Sequence, residues 1–311
     1  MPEPNLIGSL MKRGFITKIQ SYSTKDGPGI RSTVFLAGCN LRCVWCSNPE
    51  LIGDGAAILH HPGLCKRCGA CAALSGGAIC VGEAGCEIDR EACENLAECA
   101  AVCNYDAYET VGRFITSEEL VHKLLRDKAF YDQSGGGVTF SGGEPSLQDE
   151  FVLEAAGLLK GADVHVALDT AGSVPWDKLR PLVDIADLIL YDIKAYDPDT
   201  HRACTGGDNG VILENARKLA EIKKDMIVRI ILAPGYNDMQ SDVDARLRFI
   251  ASLGSCVKQV DILKMHHLGE SKYRSLGLEY PIKDTRDCPD ALALEVLERA
   301  ESMGLKAVVG G

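Results

Sequence analysis

The chain has 311 residues, of which 46% are hydrophobic and 25% charged, and its formal net charge at pH 7 is −11. These proportions are ordinary for a globular protein, and no apolar run approaches the roughly 20 residues needed to cross a bilayer. Because nonspecific binding to nucleic acid or to an anionic membrane needs basic patches, the negative charge argues against both as partners.

Short apolar, β-rich segments alternate with amphipathic helical segments along most of the chain. The predicted strands span residues 32–37, 137–141, 164–169, 188–192, 227–233 and 260–263. The predicted helices span residues 117–132, 148–160, 177–185, 213–224, 242–253 and 290–303. This alternation predicts parallel strands joined by right-handed crossovers. Six units are too few to close an eight-stranded barrel, so we predict an α/β fold of the partial (β/α)6 barrel type, with its chemistry at the C-terminal strand ends.

One segment, residues 57–111, breaks the alternation. It holds eight cysteines, eight acidic residues and three basic residues, and it has little helix or strand periodicity. A small segment so poor in core-forming residues needs metal or disulfide staples to fold. We therefore divide the chain into a barrel of residues 1–56 and 112–311 and an inserted, cysteine-rich subdomain of residues 57–111.

The total number of cysteines indicates the cellular compartment. Residues 1–5 carry no basic region ahead of an apolar one, so we predict no secretory signal. A chain with fourteen cysteines is then expected in the reducing cytoplasm, where such a count favours metal clusters over disulfides.

The most informative motif lies between the first predicted strand and the insertion. Cys39, Cys43 and Cys46 have the spacing C-x3-C-x2-C. Three thiolates in one tight loop can hold three irons of a 4Fe-4S cube and leave the fourth iron open to another ligand, whereas a structural zinc site needs four protein ligands. The alternatives are buried apolar cysteines or a structural metal knuckle.

The insertion begins with Cys65, Cys68 and Cys71, which are spaced like the first three ligands of a bacterial ferredoxin run. The fourth position of that run is Ser75, and the later cysteines lack a tight C-x2-C pair. Because the last cysteine of a ferredoxin run serves the other cluster, we predict that Cys103 completes a first auxiliary 4Fe-4S cluster. The predicted ligands of a second auxiliary cluster are Cys80, Cys86, Cys93 and Cys99. A single cluster and a zinc-stapled insertion are the alternatives.

Polar residues lie in or directly after four of the predicted strands. They are Gly142, Gly143 and Glu144, then Asp169 and Thr170, then Asp192 and Lys194, and finally Arg229. Glycines let a ligand approach the backbone, and an acid beside them can pair with an ammonium group. A charge in a parallel strand, such as Arg229, is costly unless it is paired. Together these residues predict one polar site at the strand ends.

Three segments resemble a known family. The cysteine triad, with Trp45 before its last cysteine, is similar to the signature of the radical S-adenosylmethionine (radical SAM) enzymes. Residues 23–31, with the sequence STKDGPGIR, resemble the N-terminal signature of the glycyl-radical-enzyme activating enzymes, a subgroup of that superfamily. His266 begins a segment similar to that family's His-x-Leu-Gly. The insertion resembles that of the larger activators, which serve glycyl radical decarboxylases, dehydratases, lyases and benzylsuccinate synthases.

This resemblance implies a radical SAM barrel with a ferredoxin-like insertion, three 4Fe-4S clusters and SAM. SAM would be cleaved reductively, and the resulting radical would take a hydrogen from a glycine Cα of a large glycyl radical enzyme. The implied electron donor is a flavodoxin- or ferredoxin-type protein, and the implied setting is anaerobic.

The resemblance also implies a role for each site residue. The SAM-binding cluster is assigned to Cys39, Cys43 and Cys46. Contacts to SAM are assigned to Gly142, Gly143 and Glu144 for its amino group, to Lys194 for its carboxylate, and to Arg229 and His266 for the rest of the methionine or the ribose. A monovalent cation is assigned to Asp169, Thr170 and Asp192. Asp26 would position the partner's glycine loop. Trp45 either stacks near the cluster or the adenine, or only packs.

Two other functions are considered. One is a radical SAM enzyme that modifies another peptide or a small molecule, and the other is an iron-sulfur electron-transfer protein without chemistry of its own. Residues 26–31 and the His266 segment argue against the first. The incomplete cysteine triad argues against the second, because a pure electron carrier gains nothing from an open iron.

Overall fold

The computed structural model describes residues 11–83 and 85–310. Residues 1–5, from which the absence of a secretory signal is predicted, lie outside the described residues, as do both outer bounds of the predicted barrel domain. Within the described part of the chain, no helix is long and apolar enough to span a membrane.

The described residues form thirteen strands and eleven α-helices. The strands are β1 (Arg13–Ser23), β2 (Arg31–Leu36), β3 (Ala57–His60), β4 (Ile79–Gly82), β5 (Gly85–Ile88), β6 (Tyr108–Val111), β7 (Arg113–Thr116), β8 (Gly137–Gly142), β9 (His165–Thr170), β10 (Leu188–Asp192), β11 (Met226–Leu232), β12 (Val257–Lys264) and β13 (Ala307–Val309). The helices are α1 (Ala70–Leu74), α2 (Leu96–Ala101), α3 (Ser117–Leu124), α4 (Lys128–Ser134), α5 (Asp149–Gly161), α6 (Trp176–Ile185), α7 (Pro198–Thr205), α8 (Gly210–Glu221), α9 (Gln240–Ser252), α10 (Glu270–Leu276) and α11 (Asp290–Ser302).

Nine of the described strands form one mixed sheet, in the order β13-β12-β11-β10-β9-β8-β2-β1-β7. The strands from β13 to β2 are all parallel to their neighbours, and β1 pairs antiparallel with β2 and β7. All six predicted strands are present, as β2 and β8 to β12. The predicted parallel α/β sheet is therefore confirmed, and it is open, with β7 and β13 at its two edges.

The prediction omitted the strands at the edges of this sheet. β7 exposes many of its side chains, and the three residues of β13 are all partly exposed. β1 is next to the edge and pairs with β7 over Arg13–Ile16, so the rest of this strand also has a partner on one side. An edge strand has a neighbour on one side only and often carries polar residues. Its sequence pattern is therefore weaker than that of a central strand.

The central strands are buried on both faces. On β8, Val138, Thr139 and Phe140 are all fully buried, although successive side chains point to opposite faces. Side chains of α5 and α6, such as Leu159 and Leu179, belong to the same hydrophobic core as this strand. Parallel strands covered in this way read as nearly continuous apolar runs, which is why they could be found in the sequence.

The insertion contains more regular structure than its sequence pattern predicted. β3 pairs antiparallel with β6, β4 pairs antiparallel with β5, and α1 packs on α2. Arg90 ties this segment to the rest of the chain, because its guanidinium donates to the carbonyl of Ser275 at 2.8 Å as well as to that of Ile58 within the insertion, also at 2.8 Å. These elements are short, from four to six residues, and too short to show a period in the sequence.

Candidate active site

A cavity of about 320 Å³ lies at the C-terminal ends of the parallel strands, a volume typical of small-molecule sites. The predicted site residues that line it are Asp26, Cys39, Cys43, Trp45, Cys46, Gly142, Gly143, Glu144, Asp169, Thr170, Asp192, Lys194 and Arg229. His266 does not line it. That residue is exposed, and its Nδ1 is 3.3 Å from the backbone N–H of Leu268, which donates to it.

The loop with the three cysteines is held by backbone hydrogen bonds. The N–H groups of Arg42 and Val44 donate to the carbonyls of Thr205 and Cys204, at the end of α7, at 2.7 and 2.9 Å. The guanidinium of Arg42 also donates to the carbonyl of Cys39, at 2.5 Å. None of these bonds uses a thiol, so they fix the loop and leave all three sulfurs free for ligands.

The three thiols fit a 4Fe-4S cube with one open iron. Burial raises the pKa of each thiol, that of Cys43 to about 12, while the nearby Lys194 acts in the opposite direction. The thiolate is the metal ligand, so metal binding here must release protons. In residues 11–83 and 85–310, no fourth cysteine lines the cavity, so the protein itself offers three sulfur ligands.

Gly142 and Gly143 have no side chain because other parts of the backbone pack directly against them. A Cβ on Gly142, which has φ +122°, would lie 2.3 Å from the backbone of Leu36, and one on Gly143 would lie 2.0 Å from the carbonyl oxygen of Gly38. The sequence predicted that these glycines admit a ligand. The structure shows that they admit the end of β2 and the start of the cysteine loop.

Glu144 is fully buried and already has four donors from this chain. Its Oε1 accepts from the N–H and hydroxyl of Ser146, at 3.1 and 2.6 Å, and from Thr170 Oγ1 at 2.6 Å. Its Oε2 accepts from the N–H of Ala171 at 3.0 Å. These bonds use about as many acceptor positions as a carboxylate has. Glu144 therefore joins the ends of β8 and β9, and burial raises its pKa against the effect of these donors.

Four charges of alternating sign cross the cavity wall, and we name them the charge row: Asp169, Arg229, Asp192 and Lys194. The guanidinium of Arg229 donates to Asp169 and, at 3.0 Å, to Asp192. Lys194 Nζ donates to the other oxygen of Asp192, also at 3.0 Å. Ser141 Oγ donates to Asp169 at 2.6 Å and ends the row. The row is largely buried and has no net charge.

Burial and mutual pairing oppose each other in the charge row, and the outcome differs between its members. At Asp169 burial prevails and raises the pKa to about 6, against the effect of Arg229. Burial acts to raise the pKa of Asp192, but Arg229 and Lys194 lower it to about 2. Burial acts to lower the pKa of Lys194, but Asp192 raises it above its usual value. Each charge depends on its neighbours, so removing one leaves another buried and unpaired.

The three residues assigned to a monovalent cation lie together on the cavity wall, but this chain already uses them. Both carboxylates pair with Arg229, and Thr170 Oγ1 donates to Glu144. The structure thus brings Asp169, Thr170 and Asp192 together with a guanidinium between the two acids. The cation itself stays a prediction.

Asp26 is held at the cavity by the motif in which it lies. Its Oδ2 accepts from Ser23 Oγ at 2.5 Å and from Thr33 Oγ1 at 2.6 Å. Arg31, fully buried, donates to Thr139 Oγ1 at 2.7 Å and anchors the same loop to β8. Burial lowers the pKa of Arg31 to about 10. Residues 26–31 are therefore tied to the sheet beside the cavity, and Asp26 is the residue of this segment that lines it.

Trp45 lies between the cavity and a small hydrophobic cluster. It lines the cavity, and only 5% of its surface is exposed because it packs with Met265, Tyr273 and Tyr280. Packing is therefore observed, and stacking on a bound adenine stays a prediction.

Sequence reasoning missed the residues that position Lys194. Arg246 on α9 is fully buried and donates to the carbonyls of Lys194 and Asn237, at 3.0 and 2.6 Å. The amide of Asn237 also donates to the carbonyl of Lys194, at 2.7 Å. Arg246 pairs with Asp242 one turn away. The only hint in the sequence was the spacing of Asp242 and Arg246, an acid and a base four residues apart on a helix. Such a pair usually lies on an exposed face, so it did not indicate a buried residue.

The cysteines of the insertion fall into separate groups. A small second cavity is lined by the predicted ligands of the first auxiliary cluster, Cys65, Cys68, Cys71 and Cys103. Cys86 lies near this group, since its sulfur, that of Cys65 and a ring nitrogen of His60 are within 4.8 Å of one another. Cys93 and Cys99 are buried, and Cys80 is exposed. Cys86 also packs against the core that contains Cys93 and Cys99, so of the four thiols assigned to the second auxiliary cluster the structure sets Cys80 apart.

Comparison with known proteins identifies the family. The model of the radical SAM superfamily matches residues 33–249. The (2S)-3-sulfopropanediol dehydratase activating enzyme of Klebsiella oxytoca is 36% identical over 285 residues, 88% of each chain. The benzylsuccinate synthase activating enzyme of Thauera aromatica is 33% identical over 315 residues, 97% of this chain and 94% of that one. The chain belongs to the glycyl radical enzyme activating enzymes of the radical SAM superfamily.

Membership confirms the predicted family and enzyme class. Members are radical SAM enzymes that act on a partner glycyl radical enzyme, and the superfamily implies a 4Fe-4S cluster and SAM. A radical SAM methyltransferase of Sphaerobacter thermophilus shares the fold, with a TM-score of 0.50 and 14% identity over 94% of this chain and 76% of that one.

Replacing Arg246 tests how Lys194 is positioned. We expect Arg246→Ala to lower the free energy of unfolding by roughly 3 to 5 kcal/mol, because it leaves Asp242 buried without its partner. The weaker hold on the Lys194 loop should also raise the Kd for SAM. Urea unfolding and calorimetric titration measure the two effects. The matched control is Arg248→Ala on the exposed face of the same helix, which should change stability by less than about 0.5 kcal/mol. Equal effects of the two variants would contradict the role of Arg246.

Proposed function

We propose that the cavity binds SAM beside a 4Fe-4S cluster held by Cys39, Cys43 and Cys46. Bound together, these groups supply the reductive cleavage of the SAM sulfonium to a 5'-deoxyadenosyl radical, which takes a hydrogen from a glycine Cα of the partner. The observation that carries this proposal is that the cysteine triad and the charge row line the same cavity. An electron carrier would need the thiols but not the four charges.

The charge row supports binding of the methionine end of SAM. Its α-amino acid group carries one carboxylate and one ammonium, so apart from the sulfonium this group brings no net charge to a row that has none. Lys194 and Arg229 are the cations that would pair with the carboxylate, and Asp192 already lies between them. Because Glu144 is occupied by its own donors, we assign the ammonium to the backbone carbonyls around Gly142 and Gly143 rather than to that side chain. His266 is left out of the proposed set because it lies outside the cavity.

Asp26 is proposed to face the partner's glycine loop. The carboxylate is fixed through Oδ2 by Ser23 and Thr33, at the wall of the cavity. Its Oδ1 makes no hydrogen bond within the described part of the chain, so it can accept one from a backbone N–H of an incoming loop. A glycine suits such a loop because it needs no room for a side chain.

The insertion, residues 57–111, is proposed as a separate ferredoxin-like subdomain on a barrel of residues 1–56 and 112–311. In support, Cys65, Cys68, Cys71 and Cys103 surround one small cavity, and four thiolates are the usual ligand set of a 4Fe-4S cluster. Cys68 is exposed, which supports electron entry from a flavodoxin- or ferredoxin-type donor at this surface. For the partner we propose a large glycyl radical enzyme, because relatives of similar identity are named as activators of a dehydratase and of a synthase.

Electron paramagnetic resonance of the reduced, reconstituted chain tests the proposed function. Adding SAM should change the spectrum of the cluster, because a ligand reaches its open iron. Adding a partner glycyl radical enzyme should then produce a glycyl doublet together with 5'-deoxyadenosine. Cys43→Ala should lose all three results, and Cys256→Ala, which removes a buried thiol outside the cavity, should keep them. A native spectrum that SAM leaves unchanged would refute the proposal.

Asp26→Asn separates partner docking from SAM chemistry. Asparagine can still accept from Ser23 and Thr33 but has lost the charge, so 5'-deoxyadenosine formation without partner should stay near the native rate. Formation of the glycyl radical should fall roughly tenfold, as expected for the loss of a charge-assisted hydrogen bond. The control is Lys25→Ala at the neighbouring exposed position. A parallel fall of both products would instead place Asp26 in SAM binding.

A further inference from the structure

The cysteine positions of the insertion can be compared with a complete ferredoxin pattern. In the run C-x2-C-x2-C-x3-C, the first three cysteines hold one cluster and the fourth holds the other. Counted from Cys65, the fourth position is residue 75. Counted from Cys93, the four positions are 93, 96, 99 and 103, which ends on Cys103. A second cluster would therefore take residues 75, 93, 96 and 99.

Two of these four positions cannot supply a sulfur ligand. Residue 96 is Leu96, which has no donor atom, and residue 75 is Ser75. The hydroxyl of Ser75 is buried and already engaged, since it donates to the carbonyl of Ala72 at 3.0 Å and accepts from the N–H of Ile79 at 2.9 Å. Ser75 therefore holds the end of α1 against β4.

The thiols at the two remaining positions, Cys93 and Cys99, are in contact with neighbouring side chains. Asn95 Oδ1 lies 3.7 Å from the sulfur of Cys93 and 3.6 Å from that of Cys99, and both thiols donate to it. The amide nitrogen of Asn95 donates to the carbonyl of Leu74 at 2.9 Å, which fixes it in place. Cys93 and Cys99 also belong to one hydrophobic core with Ile79, against which Leu96 packs. This is a packed interior, where a cube would have to displace several side chains.

Cys80 and Cys86 do not replace the missing ligands. In the hairpin of β4 and β5, Cys80 is opposite Glu87 and Cys86 is opposite Val81. Residues directly opposite each other point to the same face, and successive residues point to opposite faces, so the two cysteines lie on different faces of the hairpin. Cys80 is exposed, whereas Cys86 lies beside Cys65 and Tyr108 and also packs against the core that contains Cys71, Cys93 and Cys99. Even with Cys86, the second site has three thiols, because Cys80 lies on the other face of the hairpin.

We propose that the insertion holds a single auxiliary 4Fe-4S cluster, on Cys65, Cys68, Cys71 and Cys103, and that packed side chains have replaced the second. The chain then carries two clusters in total, not the three implied by the resemblance to the larger activators. The loss of the second auxiliary cluster rests on the proposed function only for the ligands of the first, and the total of two clusters also rests on the proposed SAM-binding cluster. Neither depends on SAM cleavage.

Counting iron in the full chain tests this proposal without measuring activity. A variant with Cys39, Cys43 and Cys46 changed to alanine keeps only the insertion's clusters, and after anaerobic reconstitution it should hold about four irons and four sulfides per chain. The native chain should hold about eight irons. About eight irons in the triple variant, or about twelve in the native chain, would overturn the proposal. If the triple variant does not fold, the native count decides alone.

Ligand variants in the triple-alanine background identify the thiols that hold the iron. Adding Cys93→Ala and Cys99→Ala should leave the iron content unchanged, and the matched addition of Cys68→Ala and Cys103→Ala should remove it. Loss of iron with the first pair would overturn the assignment. If the triple variant binds no iron at all, the auxiliary cluster is refuted while the SAM-binding site stays intact, since its own test is the response of the native spectrum to SAM.

Reduction of the triple variant gives a second readout. One cluster should give a simple spectrum of one spin per chain, because it has no magnetic neighbour. Two clusters in one ferredoxin-like unit would lie close enough to broaden and split each other's signals. A spin-coupled spectrum would therefore overturn the proposal even if the iron count were low.

Discussion

The charge row is the constraint on which the site depends. Asp192 and Arg229 are direct partners in the register of β10 and β11, and Asp169 lies on the next strand, so the parallel sheet itself sets the order of the charges. Each of these groups is too buried to stand alone. Arg229 and Asp192 are each paired on both sides, the Ser141 hydroxyl and the Lys194 ammonium are at the two ends of the row, and Lys194 pairs with Asp192. Because the positive and negative charges of the row balance, it can bind a zwitterionic amino acid group. The carboxylate and ammonium of that group would then replace some of the present ion-pair partners and leave no charge unpaired.

The parts of this fold that could be predicted from the sequence are the strands that are buried on both faces, because burial requires nearly all of their residues to be apolar. β8, β9 and β10 are largely buried on both faces and appear as apolar runs, and polar residues at their C-terminal ends line the cavity. Arg246 and Asn237 could not be found in this way. They reach the carbonyl of Lys194 from another part of the chain, and nothing in the local pattern shows where their side chains point.

Other residues were correctly predicted to line the cavity, but their contacts differ from those that their type implied. Glu144 and Gly143 line the cavity, yet their contacts are to the chain itself, because the sheet, the cysteine loop and the β8 end meet at one point. The same holds in the insertion, where counting cysteines suggested two clusters. Only the pairing of β4 with β5 separates Cys80 from Cys86. The type of a residue predicts which ligands it could bind, and the path of the backbone decides which residues lie close enough to bind the same ligand.

The central claim, that the charge row receives the methionine end of SAM, is tested most directly by a thermodynamic cycle. The Kd of the reconstituted enzyme is measured for SAM and for decarboxylated SAM, with the native chain and with Lys194→Met. If Lys194 pairs with the carboxylate, removing either partner should weaken binding by about 2 to 5 kcal/mol, and removing both should cost little more than removing one. Strictly additive losses would show that the ligand's carboxylate binds elsewhere and would contradict the account.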